Sequence, residues 1–204
     1  MKYVRSLYDW VLSWAHKKSG HYGLALISFI ESIFFPIPPD VLLIPLCIGN
    51  PKKIFKFALI CTFGSIMGAS LGYFLGYSIW WDESGNFSLI ALKFFEYIPS
   101  FDTHTFESIK LLYDEYNFLI IFTAGFTPIP FKIFTISAGA FDLNFFMFIF
   151  ASSISRSARF FLLATLLKIF GETITNFIDK YFNILSLVFT ITLICGFLII
   201  KYIF

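Results

Sequence analysis

Charge is scarce in this chain. Its 204 residues hold 15 lysines and arginines against 13 aspartates and glutamates, 14 % in all, for a formal net charge of +2. A soluble domain carries about 25 % charged residues. With 58 % hydrophobic residues and a mean hydropathy of +0.80, this composition suits lipid rather than water. The near-neutral balance also lacks the basic footprint of a nucleic-acid binder, so no nucleic-acid partner is expected. Cysteine is equally sparse: Cys47, Cys61 and Cys195 all lie in apolar stretches. An odd number without clustered spacing argues against a disulfide framework and against a zinc site. None of His16, His21 and His104 lies deep in an apolar run, so neither a metal nor a cofactor is expected. Catalytic signatures are missing too. There is no Gly-x-Ser-x-Gly, no His-Glu-x-x-His and no phosphate loop, and the serines at 152, 153, 155 and 157 have no histidine base in their own segment. The expectation is a protein that is not an enzyme.

Long apolar runs are what the chain has in quantity, at 24–48, 57–80, 116–140, 145–170 and 184–200. The last, about 17 residues, is long enough to span a bilayer. Ahead of them, residues 1–20 are too polar for a signal-peptide core. Val4, Leu7, Tyr8, Val11, Leu12 and Trp14 recur there at helical spacing, with Lys2, Arg5, Lys17 and Lys18 on the polar side. That pattern reads as a helix lying in the membrane surface. A frayed tail is the plainer alternative.

Two of the five runs are interrupted. The first contains FFPIPPD at 34–40, with Pro36, Pro38 and Pro39, and Pro45 further on; the second contains FTPIPFK at 126–132, with Pro128 and Pro130. Each proline inside a helix costs about 3 kcal/mol and leaves backbone groups unpaired, so several together argue against a straight span. A re-entrant hairpin that turns at the prolines answers this, provided protein or a water-filled cavity covers the turn; a kinked full span is the other possibility. A shift of 92 positions lays Pro36 and Pro38 on Pro128 and Pro130, and Asp40 on Lys132. Each broken run is then followed by one unbroken run, the repeat pattern of transporter folds, whose site lies between the repeats.

Charge asymmetry agrees. Residues 1–20 and 49–56 carry Lys2, Arg5, Lys17, Lys18, Lys52, Lys53 and Lys56 against Asp9. Residues 81–115 carry Asp82, Glu83, Glu96, Asp102, Glu107, Asp114 and Glu115 against Lys93 and Lys110. The basic group belongs in the cytoplasm, which places the N-terminus there. The expected fold is an all-α polytopic membrane protein, a single membrane domain. It has an interfacial helix at 1–20, re-entrant hairpins at 24–48 and 116–140, membrane-spanning helices at 57–80, 145–170 and 184–200, and surface helices of the periplasmic side at 81–115. The two hairpins enter from opposite faces, an inverted repeat.

Ionisable residues at membrane depth are costly, and their default reading is functional. Glu31 and Asp40 flank the first turn and should face a shared cavity, where a buried carboxylate could exchange a proton. Asp40 could instead cap the outgoing helix. Arg156 and Arg159 lie three apart on one helix face, among small polar serines, and point inward toward those carboxylates or toward a phosphate, which suits the arginine fork. Buried ion pairs that merely hold the bundle would look the same. Lys132 occupies the slot of Asp40. The three cations outnumber the two acids, and the outgoing half-helices aim their positive dipole ends inward. Both effects favour an anion, with phosphate the natural candidate. Gly64, Gly68, Gly72 and Gly76, every fourth residue, allow a close helix approach, and Ala138-Gly139-Ala140 offers a similar surface.

The run Glu31-x4-Pro36-x-Pro38-x-Asp40 resembles the first signature of the DedA family of membrane proteins, also called the VTT or SNARE-associated superfamily. GFTPIPFKIFTISAGAF and SISRSARFFLLA are similar to its YqaA-type branch, and the likeness runs from about Gly20 to Gly171. The resemblance implies two re-entrant hairpins facing each other in a bacterial inner-membrane protein. It further implies proton-dependent flipping or scrambling of phospholipid or undecaprenyl phosphate, with Glu31 and Asp40 at essential acidic positions. Gly125 and Phe131 stand where that family carries arginines around the second proline turn, and Lys132, Arg156 and Arg159 are the cations available instead. The expected partners are membrane lipids, a lipid phosphate headgroup and protons. A carrier of a small soluble anion, or a non-transporting assembly protein, would need the same core.

Overall fold

The computed structural model describes residues 19–35, 37–97, 103–127 and 130–171. Among them, regular structure is helical apart from one isolated bridge between Trp81 and Phe87. The interfacial helix expected at 1–20 (all but its last two positions), the helix expected at 184–200, Pro36 and Pro128 lie outside the described residues.

The first helix, α1 (Gly20–Glu31), stops where the prolines begin. Its end tightens so that the N–H groups of Ile33, Phe34 and Phe35 all meet Ile30 O. Pro39 then starts α2 (Asp40–Gly49), a position where a missing N–H costs nothing. Pro45, counted above among the interruptions, does not break α2. Its missing N–H deprives one carbonyl in a ten-residue helix, and packing on both sides of the proline offsets that loss. A 3₁₀ turn at Pro51–Lys53 leads into α3 (Ile54–Trp80). After it come α4 (Leu89–Tyr97) and α5 (Thr103–Phe126), which kinks at Tyr116. The second half closes with α6 (Phe131–Ala140) and α7 (Phe145–Gly171). The boundary expected at 115/116 is thus a kink inside one element rather than a break.

Two stretches, Pro51–Trp80 and Phe145–Gly171, are long and apolar enough to cross a membrane. The apolar helices α2 and α6 are not: ten residues rise only about 15 Å against a hydrocarbon core of about 30 Å. Two pairs of helices correspond between the halves of the chain. α2 and α6 are both ten residues long, α3 and α7 are both 27, and each pair starts 91 positions apart. The prolines repeat at 92, so α6 starts one position sooner after Pro130 than α2 does after Pro38.

Directions follow from the contacts. Gly64, Gly68 and Gly72 of α3 lie against Ala25, Phe29 and Ser32, so α1 runs parallel to α3. α5 likewise runs parallel to α7, with Gly125 beside Ser155 and Thr127 beside Arg159. α3 and α7 are antiparallel, since Tyr73 packs on Phe145 and Phe148 while Phe55 packs on Phe161. The glycine stripe serves both halves: a Cβ at Gly68 would collide with Phe29 O, one at Gly76 with Ile136 O, and one at Gly139 with Tyr73 O.

Two cores result. One joins Leu24 and Ile27 of α1, Leu42, Leu43 and Leu46 of α2 and Phe57 of α3 to Phe160, Ala164 and Leu167 of α7. The other, at the far end of α3, is strongly aromatic, with Phe106 stacked on Trp80 and edge-on to Phe87 and Phe95. This second core seats α4 and the first part of α5 as a cap over 81–115. Outward faces stay apolar, with Phe63, Met67, Phe74, Phe146, Phe150 and Ile169 exposed.

Candidate functional site

All five ionisable residues singled out by the sequence converge on the two proline turns. α7 brings Arg156 and Arg159 to the same side of the helix, and each takes one acid. Arg156 Nη2 lies 3.0 Å from Glu31 Oε2, at the end of α1, and Arg159 forms an ion pair with Asp40, at the start of α2. Asp40 gives its helix no cap: Oδ2 goes to Arg159, and Oδ1 is buried with no hydrogen-bond partner.

The two arginines have different surroundings. Arg156 is only 3 % exposed. Its guanidinium lies between the rings of Phe131 and Phe160, 4.9 and 4.7 Å from their centroids. Nε donates to Ser65 Oγ at 2.7 Å, and Nη1 reaches Gly125 O at 3.5 Å. A buried charge is tolerated when it is paired and its donors are met, and the flanking rings add a cation–π attraction. Ser65 Oγ and Ser32 Oγ are 2.8 Å apart, and Ser32 donates to Ser28 O at 3.2 Å. With Ser32's proton spent on that carbonyl and Ser65 accepting from Arg156, the proton between the serines belongs to Ser65. The relay therefore runs one way, Arg156 to Ser65 to Ser32 to the α1 backbone, and fixes the guanidinium facing Glu31.

Arg159 sits at the rim instead. Its side chain is 21 % exposed, and Nη1 donates to Thr127 O at 2.8 Å. Beside the Arg159–Asp40 pair opens a cavity of about 350 Å³, walled by Ile44, Phe126, Leu162, Leu163 and Leu166. Phe126, Leu162 and Leu166 are exposed, so the groove is open along its side. One end is ionic and the rest is apolar.

Lys132, in the first turn of α6, meets backbone rather than acid: Nζ lies 3.0 Å from Phe35 O and 3.3 Å from Phe34 O. The last carbonyls of a helix lack intrahelical partners and carry its negative end. Here cations meet carbonyls at or just beyond such ends, Lys132 in the turn after α1 and the two arginines at Gly125 and Thr127, where α5 closes.

Pro38 is exposed at the first turn, Pro39 is buried at the N-cap of α2, and Pro130 forms the N-cap of α6. Sequence reasoning did not single out Ser32, Ser65 or Thr135, nor Phe131 and Phe160 as the rings around Arg156. Ser65 directly follows Gly64 in the glycine-rich helix, and nothing in that stretch marks its hydroxyl as a hydrogen-bonding group. No group of three His, Cys, Asp or Glu residues that could hold a metal occurs among the described residues.

Fold and site define a helical protein with, among the described residues, two helices long and apolar enough to cross a membrane and a cluster of ion pairs beside the two proline-bearing segments. The chain is 33 % identical over 202 residues to an uncharacterized protein of Haemophilus influenzae, covering 98 % of this chain and all of that one, and it belongs to the same family. An uncharacterized protein of Histophilus somni is 37 % identical over 169 residues, 81 % of this chain and 82 % of its own. One from Methanocaldococcus jannaschii is 27 % identical over 144 residues, 70 % and 81 % respectively. No protein-family model matches the chain, and no solved structure matches it.

Proposed function

We propose that this is a multi-pass membrane protein of the DedA type. Its two proline turns are re-entrant hairpins entering from opposite faces of a bacterial inner membrane, and it passes an anionic lipid headgroup between leaflets together with a proton on Asp40. The observation that carries this reading is the Arg159–Asp40 pair at the head of a side-open apolar groove. A lipid phosphate is matched by the guanidinium, and its acyl chain by Ile44, Leu162, Leu163 and Leu166. Asp40 competes with the phosphate for Arg159. Protonation of Asp40 removes the competitor and raises the charge at the site by one, so the anion binds when the proton does. Arg156 and Glu31, sealed between aromatic rings, serve as the fixed frame of the site.

The antiparallel pair α3 and α7, each preceded by a ten-residue apolar helix after a proline turn, supports the inverted arrangement. A non-transporting role is the second reading, because each of the three cations already has protein partners. The discriminating experiment is leaflet exchange in liposomes, with labelled phospholipid and undecaprenyl phosphate compared with and without a pH gradient. The translocase reading expects exchange that depends on the gradient and loses that dependence in Asp40→Asn. Lipid that stays in place beside a well-folded protein, while the swap Asp40→Arg with Arg159→Asp keeps its stability, would favour the structural role.

A further inference from the structure

The carbonyls of Ser32, Phe34 and Phe35, in the turn that follows α1, are all met by α6. Lys132 Nζ takes those of Phe34 and Phe35, and the Thr135 hydroxyl lies 2.8 Å from Ser32 O. An ammonium on unwound carbonyls at the negative end of a helix gains both charge-assisted hydrogen bonds and dipole attraction. Thr135 comes this near because residue 72 is glycine; a Cβ there would lie 2.5 Å from Thr135 Oγ1 and 3.4 Å from Ser32 O. These contacts span about a hundred residues of sequence and tie one proline turn to the other half of the chain. The opposite edge of the first hairpin differs. There α2 and α7 face each other across the groove, with Ile44 on one wall and Leu162, Leu163 and Leu166 on the other, and the Arg159–Asp40 pair at its rim.

We propose, resting on the translocase reading above, that Lys132 and Thr135 are positioning residues that latch the tips of the two hairpins into one body, so that ligand exchange opens the seam between α2 and α7 while the α1–α6 junction stays closed. Lys132 then touches no ligand. Its charge is committed to the turn, and Arg159 alone meets the anion.

The test uses full-length protein in liposomes with Cys47, Cys61 and Cys195 replaced by alanine. Lys132→Cys is expected to slow exchange about tenfold, in keeping with loss of charge-assisted hydrogen bonds. Treatment with 2-aminoethyl methanethiosulfonate rebuilds an ammonium on an arm of similar length and should restore exchange, whereas the neutral ethyl reagent should not. A short bifunctional thiol reagent joining Phe34→Cys to Ile133→Cys, both at exposed positions, should leave exchange intact. The same reagent joining Ile44→Cys to Leu163→Cys should abolish it. Equal rescue by the neutral reagent, or a block by the first tether with none by the second, would overturn the latch. If the unmodified protein exchanges no lipid, the translocase reading fails by itself. The latch is then judged by thermal unfolding, where the aminoethyl adduct should raise the midpoint of Lys132→Cys and the ethyl adduct should not; equal midpoints would overturn it.

Discussion

Arg156 and Arg159 are one helical turn apart, and their surroundings separate a sealed charge from a partly open one. Arg156 is closed off by Phe131, Phe160, Ser65 and Glu31, so its removal strands a buried carboxylate. Arg156→Ala is expected to cost about 3–5 kcal/mol of stability, read from unfolding in detergent. Arg159→Ala, at the groove rim where the pair is partly open, should cost less than Arg156→Ala. Equal losses would contradict the division of roles. Ser65→Ala should destabilise by about 1–3 kcal/mol by orphaning Arg156 Nε–H. In a double-mutant cycle with Arg156→Ala its effect should be far from additive. At this scale the sequence showed the charges and their spacing, because an ionisable residue in an apolar run is conspicuous. The serine relay was not legible. A hydroxyl in a small-residue stripe looks the same whether it packs or hydrogen-bonds, and only the neighbouring helices decide. Nor did the sequence distinguish Lys132 from the arginines, since the carbonyls it meets lie 97 and 98 positions away.

The helices are held together by near contact of backbones, and this can be tested by adding single methyl groups. Gly68→Ala and Gly76→Ala each drive a Cβ into a backbone carbonyl of α1 or α6, which cannot swing aside. Each should destabilise by about 1–3 kcal/mol as an overpacked contact. Gly49→Ala, with open space around it, is the matched control and should be close to neutral; a loss there equal to that at Gly68 would contradict the packing account. The every-fourth-residue glycines and the paired prolines were readable in advance because both are strong backbone signals. Pro45 shows the limit of that rule, since a proline in the middle of a short, well-packed helix is accommodated. The kink at Tyr116 carried no such marker: the stretch from Asp114 to Asn117 has neither glycine nor proline, and the bend comes where α5 leaves the aromatic cap and meets α7.

In the whole molecule, the long helices α3 and α7 run antiparallel beside one ionic cluster, and the proposed inverted arrangement would relate the two halves of the chain. The 92-residue shift seen in the prolines has a counterpart in the equal lengths of α2 and α6 and of α3 and α7, because a turn motif and the helix after it move together. It could not show which face of each helix meets the other half, since that depends on contacts between residues about a hundred positions apart. The inverted arrangement has a direct consequence for labelling. In sealed, right-side-out vesicles, Ser84→Cys in the loop after α3 should react with an impermeant thiol reagent, and Lys53→Cys before α3 should react only after permeabilisation. Labelling of both from outside would contradict the arrangement.

The most direct test of the central claim is leaflet exchange of a fluorescent anionic phospholipid by Arg159→Gln, beside unmodified protein and Arg156→Lys, in liposomes matched for folded protein. Loss of exchange in Arg159→Gln with its thermal midpoint preserved is the predicted result. It would make the groove-side arginine the group that meets the headgroup. Exchange undiminished in Arg159→Gln would contradict the account, leaving the ion pairs as part of the framework alone.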